Sequence, residues 1–404
     1  MNNKLVYILL ALILLGSVLV RLPVIDVPLE RDEGEYAYIA WRLEHGEVPY
    51  KDIFDQKPPG IFFIYYVTFL FSDTTSAIHW MVTLYTLITL FLAFCLSRRL
   101  TGSQGAGLIT TAALASALIQ PALTGQAANT EIFMIAPIIG ALLLFTKEFG
   151  KNSALNLFGV GLLIGIASLL KQVALTTLLP VAAISLWSYF KTSSTEKQKK
   201  SLFSVPIILI GTVAAWVPAL IYFISNAALA DMINAVFLHN FKYLGTSRND
   251  FSFEVFFMNF LPILKGEWPL WAVGVLGIYK LYKVQATRAA FALLWLVSAA
   301  IGISASAYFF PHYFIQATPV LALLTGAGVL FLYERAAAKK NTAIRAIAII
   351  LSIWIVSHPL ITSARVILGS TPAELSYKIY PGNMFPDTVR IADYINSNSK
   401  PTDP

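Results

Sequence analysis

A single cysteine, Cys95, excludes a scaffold of internal disulfides. Charge is scarce as well. The 29 Lys and Arg and 22 Asp and Glu make up 13% of 404 residues, against about 25% in a soluble domain. Too little polar surface remains to cover a globule in water. Disorder is excluded by the same composition, because a disordered chain needs low hydrophobicity, and this one is 57% hydrophobic. There is no GxGxxG, no phosphate-binding loop, no HExxH and no Cys/His cluster at metal-binding spacing. The sequence therefore gives no support to a nucleotide site. The net charge of +7 does not mark a nucleic-acid binder, since its cations sit in short clusters between apolar runs.

What is present is a series of apolar runs long enough to cross a bilayer, each needing roughly 20 residues. The first, Leu5 to Val20, is read as a true span. It is followed by Arg21, Leu22 and Pro23 and not by a small-residue cleavage site. Others fall at 76–97, 105–122, 131–147, 154–170, 172–190, 202–225, 269–283, 289–307, 312–333 and 342–361. The reading is an all-α polytopic membrane protein of about eleven transmembrane helices. The run at 60–71 is too short to cross and reads as re-entrant or interfacial.

With a cytoplasmic N-terminus, one side collects Arg98 and Arg99, Lys147 and Lys151, and Lys191, Lys197, Lys199 and Lys200. It also collects Lys280, Lys283 and Arg288, then Arg335, Lys339 and Lys340. That agreement with the positive-inside rule sets the expected orientation. Counting 60–71 as a span would reverse every later loop. The expected domain is 1–361, with 362–404 as an outer tail.

The outer segments hold the candidate chemistry. The first, near 23–60, carries Glu30, Asp32, Glu33, Glu35, Glu44, Glu47, Asp52 and Asp55. A helix over Glu33 to Leu43 would line up Tyr36, Ile39 and Leu43 and lie flat on the membrane. Asp32 at its edge is either a helix cap or a functional carboxylate. Lys57-Pro58-Pro59-Gly60 holds a lysine on a stiff turn at headgroup depth. It is either a snorkelling cation or one aimed at a lipid phosphate. Glu131 starts a span at the same face, where a carboxylate also suits the helix dipole. Lys171-Gln172 interrupts a long apolar run, which is costly unless the charge meets an anion, a cavity or the surface. His312 and Tyr313 stand in an outer aromatic turn that also resembles an interfacial belt. Lys242, Tyr243 and Arg248 are weaker candidates in the 226–268 loop, and Arg21 and Arg31 flank the acidic one. Adjacent Asp32 and Glu33 could hold Mg²⁺ or Mn²⁺, but nothing demands a metal.

Taken in order, these pieces carry a resemblance. Arg31-Asp32-Glu33-Gly34-Glu35-Tyr36, Asp55-Gln56-Lys57-Pro58-Pro59-Gly60, Ser97-Arg98-Arg99-Leu100, Asn129-Thr130-Glu131, Lys171-Gln172 and Pro311-His312-Tyr313 follow one another along the chain. The set resembles bacterial membrane glycosyltransferases of the dolichyl-phosphate-mannose protein mannosyltransferase and aminoarabinose transferase type, in the glycosyltransferase C superfamily. The resemblance runs from residue 1 to about 361. It implies that fold, with interfacial helices on the first outer loop and a site facing the periplasm or exterior of the inner membrane. It implies inverting transfer of a hexosyl or pentosyl group from a polyprenyl-phosphate donor to a lipid, glycan or protein hydroxyl. It implies that Asp32 is the general base and that Lys57 holds the donor phosphate. Glu33, Gln56, Glu131, Lys171, Gln172, His312 and Tyr313 are the further expected substrate contacts. Gln56 stands where the aminoarabinose transferase has an acidic residue, so the same sugar is not implied. Many relatives continue into an outer soluble segment, and IADYINSNSKPTDP reads as the start of one.

Two other readings compete. A glycan polymerase or ligase would place its key residues in the 226–268 loop. A transporter would place charges near the midplane, whereas these gather at one face.

Overall fold

The computed structural model describes residues 2–147, 153–191, 203–242, 252–339 and 341–400. Among them the chain is helical, with one isolated bridge between Pro49 and Ile53. Lys151, Lys197, Lys199, Lys200, Lys340, Tyr243 and Arg248 lie outside the described residues.

Among the described residues seven helices or helix pairs are long and apolar enough to cross a membrane: Asn3–Val24, Thr75–Thr101, Gln172–Phe190, Ser204–Ser225, Ala286–Ser304, Thr318–Ala338 and Thr342–Ile367. The remaining expected spans fall on a 14-residue helix Gln104–Ala117, on Thr130–Lys147 and Ala154–Leu170, and on a 32-residue helix Phe253–Val284. We label Asn3–Arg21 α1, Arg31–Glu44 α2, Gly60–Phe69 α3, Thr75–Thr101 α4, Gln104–Ala117 α5, Thr130–Lys147 α6 and Ala154–Leu170 α7.

Local chemistry starts and stops these helices. Asn2, Thr74 and Ser103 side chains accept the free N–H groups that open α1, α4 and α5. Gly102 ends α4 at φ 72°, a left-handed cap that needs no Cβ. Their apolar faces point two ways. Ile347, Ile350 and Ile353 of the helix Thr342–Ile367 are exposed, as lipid-facing residues are in a chain whose solvent is hydrocarbon.

Several boundaries differ from the sequence reading, among them the span expected at 312–333, which is the helix Thr318–Ala338 preceded by a 3-10 turn Pro311–Gln316. The span expected at 269–283 is the second part of the helix Phe253–Val284, which carries Pro262 and Pro269 inside it. Asn259, Lys265 and Glu267 dilute the hydropathy of its first part. The 226–268 segment is accordingly not one loop. It contains a short helix, Leu229–Ile233, and a π-helical stretch, Asn234–His239. The last long helix runs on to Ile367 and is followed by Pro372–Ile379 and Phe385–Asn398.

At one end of the bundle α2, α3 and the turns after α5, α7 and Ala286–Ser304 come together. The opposite end is tied by Gln104 donating to Asn3, Arg288 to the Leu100 carbonyl and Lys280 to Glu334.

Candidate active site

The site is built on α2 and the turn before α3. Glu30 and Glu33 form a capping box that fixes the start of α2, with the Glu30 N–H donating to Glu33 at 3.0 Å. The helix thus begins earlier than Glu33, and Glu30, not Asp32, is its cap. Asp32 sits in the first turn on the buried face, one turn before Tyr36.

Lys57 Nζ lies 3.4 Å from Asp32 Oδ2 and 5.4 Å from the centre of the Tyr36 ring. Arg31 pairs with the other oxygen of Asp32 at 3.1 Å. The turn carrying Lys57 is held from three directions. Asp55 Oδ1 accepts the Gln56 and Lys57 N–H groups, Tyr50 Oη donates to the Lys57 carbonyl, and Asn240 Nδ2 donates to the Gln56 carbonyl. Tyr50 takes φ 71°, a left-handed conformation that is rare for a bulky residue and marks a backbone constrained by its surroundings.

A second cluster stands beside this one. Glu131 is in the first turn of α6, where the dipole suits it. Lys171 is extended, at φ −155°, between α7 and a 3-10 helix Gln172–Thr177. That break aims its side chain at Glu131, with which it forms an ion pair. Lys171 Nζ also lies 3.8 Å from the Tyr313 ring centre, and His312 Nε2 is 3.9 Å from Glu131 Oε1. Gln172 donates to the Val236 carbonyl at 3.0 Å.

The two clusters are joined through a close helix contact. A Cβ on Gly60 would lie 2.5 Å from the Leu169 carbonyl oxygen. Only glycine lets α3 approach the end of α7 this closely, and Lys57 and Lys171 follow from either side of that contact.

Two cavities meet at Lys57. One of about 350 Å³ is polar and lined by Asp32, Glu35, Asp55, His239 and His312. The other, of about 410 Å³, has Lys171 and Gln172 at one side and Val236, Phe237 and Phe241 at the other. Gln56, Lys57 and Tyr313 line both.

The electrostatics are set by these neighbours. Burial pushes the Asp32 carboxyl up, but the Lys57 ammonium, the His312 ring once it is protonated at acid pH, and Arg31 outweigh it and hold it at about 2. Burial opposes the Lys57 charge, yet Tyr36, Asp32 and Asp55 raise its pKa above the usual lysine value. Burial raises the Asp55 carboxyl. Burial lowers the His312 imidazole to about 4. His312 is therefore neutral near pH 7 and adds no positive charge to the site. Asp55 Oδ2 and Gln56 Oε1 are buried without a hydrogen-bond partner.

Of the expected contacts, Asp32, Gln56, Lys57, Lys171, Gln172, His312 and Tyr313 line the two cavities. Glu131 lies behind Lys171 and His312. Glu33 is not brought to either cavity. Its carboxylate accepts from His79 Nε2 at 3.1 Å and the Ala128 N–H at 2.6 Å, as well as from Glu30. It locks α2 to α4 and to the turn before α6. Its oxygens are thus committed, and the Asp32–Glu33 pair does not converge on one point. Among the described residues no group of three or more His, Cys, Asp or Glu is placed to hold a metal. Arg21 is also buried away from the cavities and donates to the Leu118 and Gly125 carbonyls. Lys242 is exposed. His239 and Asn240 were not singled out by sequence, because the segment carrying them has no clear periodicity. A polar His-Asn pair within an apolar stretch is the one signal it offered.

Residues 55–217 match the family model described as dolichyl-phosphate-mannose-protein mannosyltransferase. That segment includes Lys57, Glu131 and Lys171 and leaves out Asp32 and His312. No curated protein matches the chain. Among solved structures, ArnT from Cupriavidus metallidurans bound to undecaprenyl phosphate matches with a TM-score of 0.65 at 18% identity, over 100% of this chain and 82% of that one. The apo state of the same protein gives 0.63 at 17% identity, over 98% and 81%. The archaeal oligosaccharyltransferase AglB from Archaeoglobus fulgidus, in complex with an inhibitory peptide and a dolichol-phosphate, gives 0.54 at 13% identity, over 97% and 58%. At these identities the structural likeness concerns the fold, which this chain shares across its length. The resemblance read from the motifs holds, and the chain is a multi-pass membrane protein.

Proposed function

We propose that this protein is an inverting glycosyltransferase that moves a sugar from a polyprenyl-phosphate donor to an acceptor hydroxyl at the outer face of the inner membrane. The observation that carries the reading is that Lys57, on the wall common to a polar and an apolar cavity, pairs with Asp32 on the wall of the polar one. The solved structures of similar fold hold undecaprenyl phosphate and a dolichol-phosphate, and the family match supports transfer from such a lipid.

On this reading the donor phosphate lies between Lys57 and Lys171. The first isoprenoid units leave past Phe237 and Phe241, and the sugar projects toward Asp32. The acceptor oxygen attacks the anomeric carbon from the face opposite the phosphate. As the new C–O bond forms, the sugar–phosphate bond breaks and the configuration inverts. The acceptor proton passes to Asp32. The leaving polyprenyl phosphate gains one negative charge, and the two ammonium groups stabilise it. Gln56, Gln172, Tyr313 and neutral His312 position donor and acceptor, and Glu131 positions Lys171. Glu33 acts through Asp32, by fixing α2.

Lys57 couples binding to catalysis. While it pairs with Asp32, the carboxylate is a poor base. A phosphate that draws Lys57 away lets the Asp32 pKa rise toward its ordinary value. The base is then strengthened when a donor is in place.

The orientation rests on the cations. Arg98, Arg99, Lys280, Lys283, Arg288, Arg335 and Lys339 occupy helix ends remote from Asp32. That supports a cytoplasmic N-terminus and an outward-facing site. The transferase domain then ends with the last long helix, and the following helices form an outer tail.

The test is incubation of the purified protein with radiolabelled polyprenyl-phosphate sugars, following release of sugar from the lipid. Wild type is expected to consume one donor. An Asp32→Asn variant is expected to bind the donor and turn over about 10²–10⁴-fold more slowly. An Asp32→Asn variant at the wild-type rate would sink the reading.

A further inference from the structure

A third cavity at the site end of the bundle has a different character. It measures about 650 Å³, and its wall includes Lys265, Arg365, Lys378, Asn259, Gln120 and Pro311. Among the described residues no Asp or Glu lines it. All three cations are exposed. Lys265 and Arg365 have no ion-pair partner among the described residues. Lys378 donates to Ser370 Oγ at 2.8 Å and stands one helical turn from Glu374, whose carboxylate is engaged by the Thr371 N–H. Glu267, close in sequence to Lys265, accepts from Gln120 and Trp271 and lines a separate apolar cavity.

The cations come from three different helices and stand at one level. At 1.5 Å per residue, Lys265 is about 28 Å from the far end of its helix at Val284, and Arg365 is about 34 Å from the start of its own at Thr342. A hydrocarbon core is about 30 Å thick. Both therefore lie at the depth of lipid headgroups. Their end of the bundle is the one opposite the basic helix ends, where cations are under-represented in membrane proteins. Lys265 and Arg365, without an ion-pair partner among the described residues, converge there with Lys378 on one cavity and make it favourable for an anion. Met258, Pro262 and Val366 add apolar wall beside them, which suits a headgroup that continues into an acyl chain.

The cavity is distinct from the Asp32 cavity. The turn Phe310–Tyr313 contributes Phe310, His312 and Tyr313 to the Asp32 cavity and Pro311 to this one.

We propose that this cavity binds the phosphate of an anionic lipid, held by Arg365 with Lys265 and Lys378. A guanidinium offers phosphate two parallel hydrogen bonds, and the lysines add point charges. The site stands whether or not the transferase reading does.

The full chain, purified in detergent and delipidated, is titrated with phosphatidylglycerol and with phosphatidylcholine, and bound lipid is counted by native mass spectrometry. Wild type is expected to hold one phosphatidylglycerol about tenfold more tightly than phosphatidylcholine, which carries the same phosphate but adds a choline cation that the three basic groups repel. The triple variant Lys265→Gln, Arg365→Gln, Lys378→Gln is expected to lose that preference, and Asp32→Asn to keep it. The side chains are exposed, so the melting temperature in zwitterionic detergent should not move. Single variants Lys265→Gln and Arg365→Gln, each with a partial loss, serve if the triple variant is poorly made. Displacement of the lipid by millimolar inorganic phosphate would assign the site to the phosphate group itself. Retention of the lipid against phosphate would assign it to the lipid as a whole. An unchanged preference in the triple variant, or none in wild type, overturns the proposal.

Discussion

Gly60 and Leu169 are in backbone contact, so close that a Cβ on Gly60 would stand 2.5 Å from the Leu169 carbonyl oxygen. The contact sets the spacing of Lys57 and Lys171, which line one cavity from two different segments. Gly60→Ala must push α3 away from α7. Donor affinity is expected to fall, with a drop in melting temperature of the kind that overpacking by about 1–3 kcal/mol produces. Gly34→Ala is the control, since nothing lies within 4 Å of its added Cβ. Binding isotherms and thermal unfolding of the two variants check this. Equal behaviour would remove the glycine contact from the account.

The Asp32–Lys57 pair has a pH signature. Asp32 is held at about 2, below the ordinary aspartate value. A depressed carboxylate contributes stability that is present above the unfolded-state pKa and lost as pH falls through the folded one. The pair therefore stabilises the fold at neutral pH, and its contribution fades from about pH 4 down to pH 2. In Lys57→Gln the carboxyl loses its largest opposing charge and its pKa rises. The acid limb of kcat/KM, which reports the free enzyme, should move to higher pH in this variant, with weaker donor binding. A pH–rate profile unchanged in its acid limb would show that Lys57 does not tune Asp32.

His312 offers a second sign. Burial holds the imidazole at about 4, so it is neutral at pH 7. His312→Gln keeps a neutral hydrogen-bonding side chain and should leave the salt dependence of donor binding unchanged. Lys171→Gln removes a cation and should flatten it. Donor binding measured at low and high salt separates the two. A fall in salt dependence in His312→Gln would mean that the ring is charged.

Glu33 is expected to act through position. Glu33→Gln keeps one acceptor oxygen where the carboxylate used two to serve His79, the Ala128 N–H and the Glu30 N–H, and an unmet buried donor costs about 1–3 kcal/mol. A lower melting temperature is expected, together with a fall in kcat larger than any change in donor KM, because Asp32 shares the same first turn. If donor KM changed alone, Glu33 would be a contact to the donor and not a support.

The sequence by itself determined the solvent, the helical class and most of the chemical inventory. Halved charge and repeated apolar runs leave no other stable home for the backbone than helices in a bilayer. Asp32, Lys57, Glu131, Lys171 and His312 were legible because ionisable groups and stiff turns are conspicuous in apolar sequence. The start of the helix Phe253–Val284 was not legible, since Asn259, Lys265 and Glu267 interrupt its hydropathy. Only the tertiary structure decided which partner each charge meets. It turned Glu33 inward to His79 and Ala128, paired Lys171 with Glu131, and brought His239 and Asn240 to the cavities from a segment without periodicity. Periodicity reports the face on which a residue lies along its own helix. Which groups converge across helices depends on how closely the backbones approach, and here that approach is set by contacts such as Gly60 on Leu169.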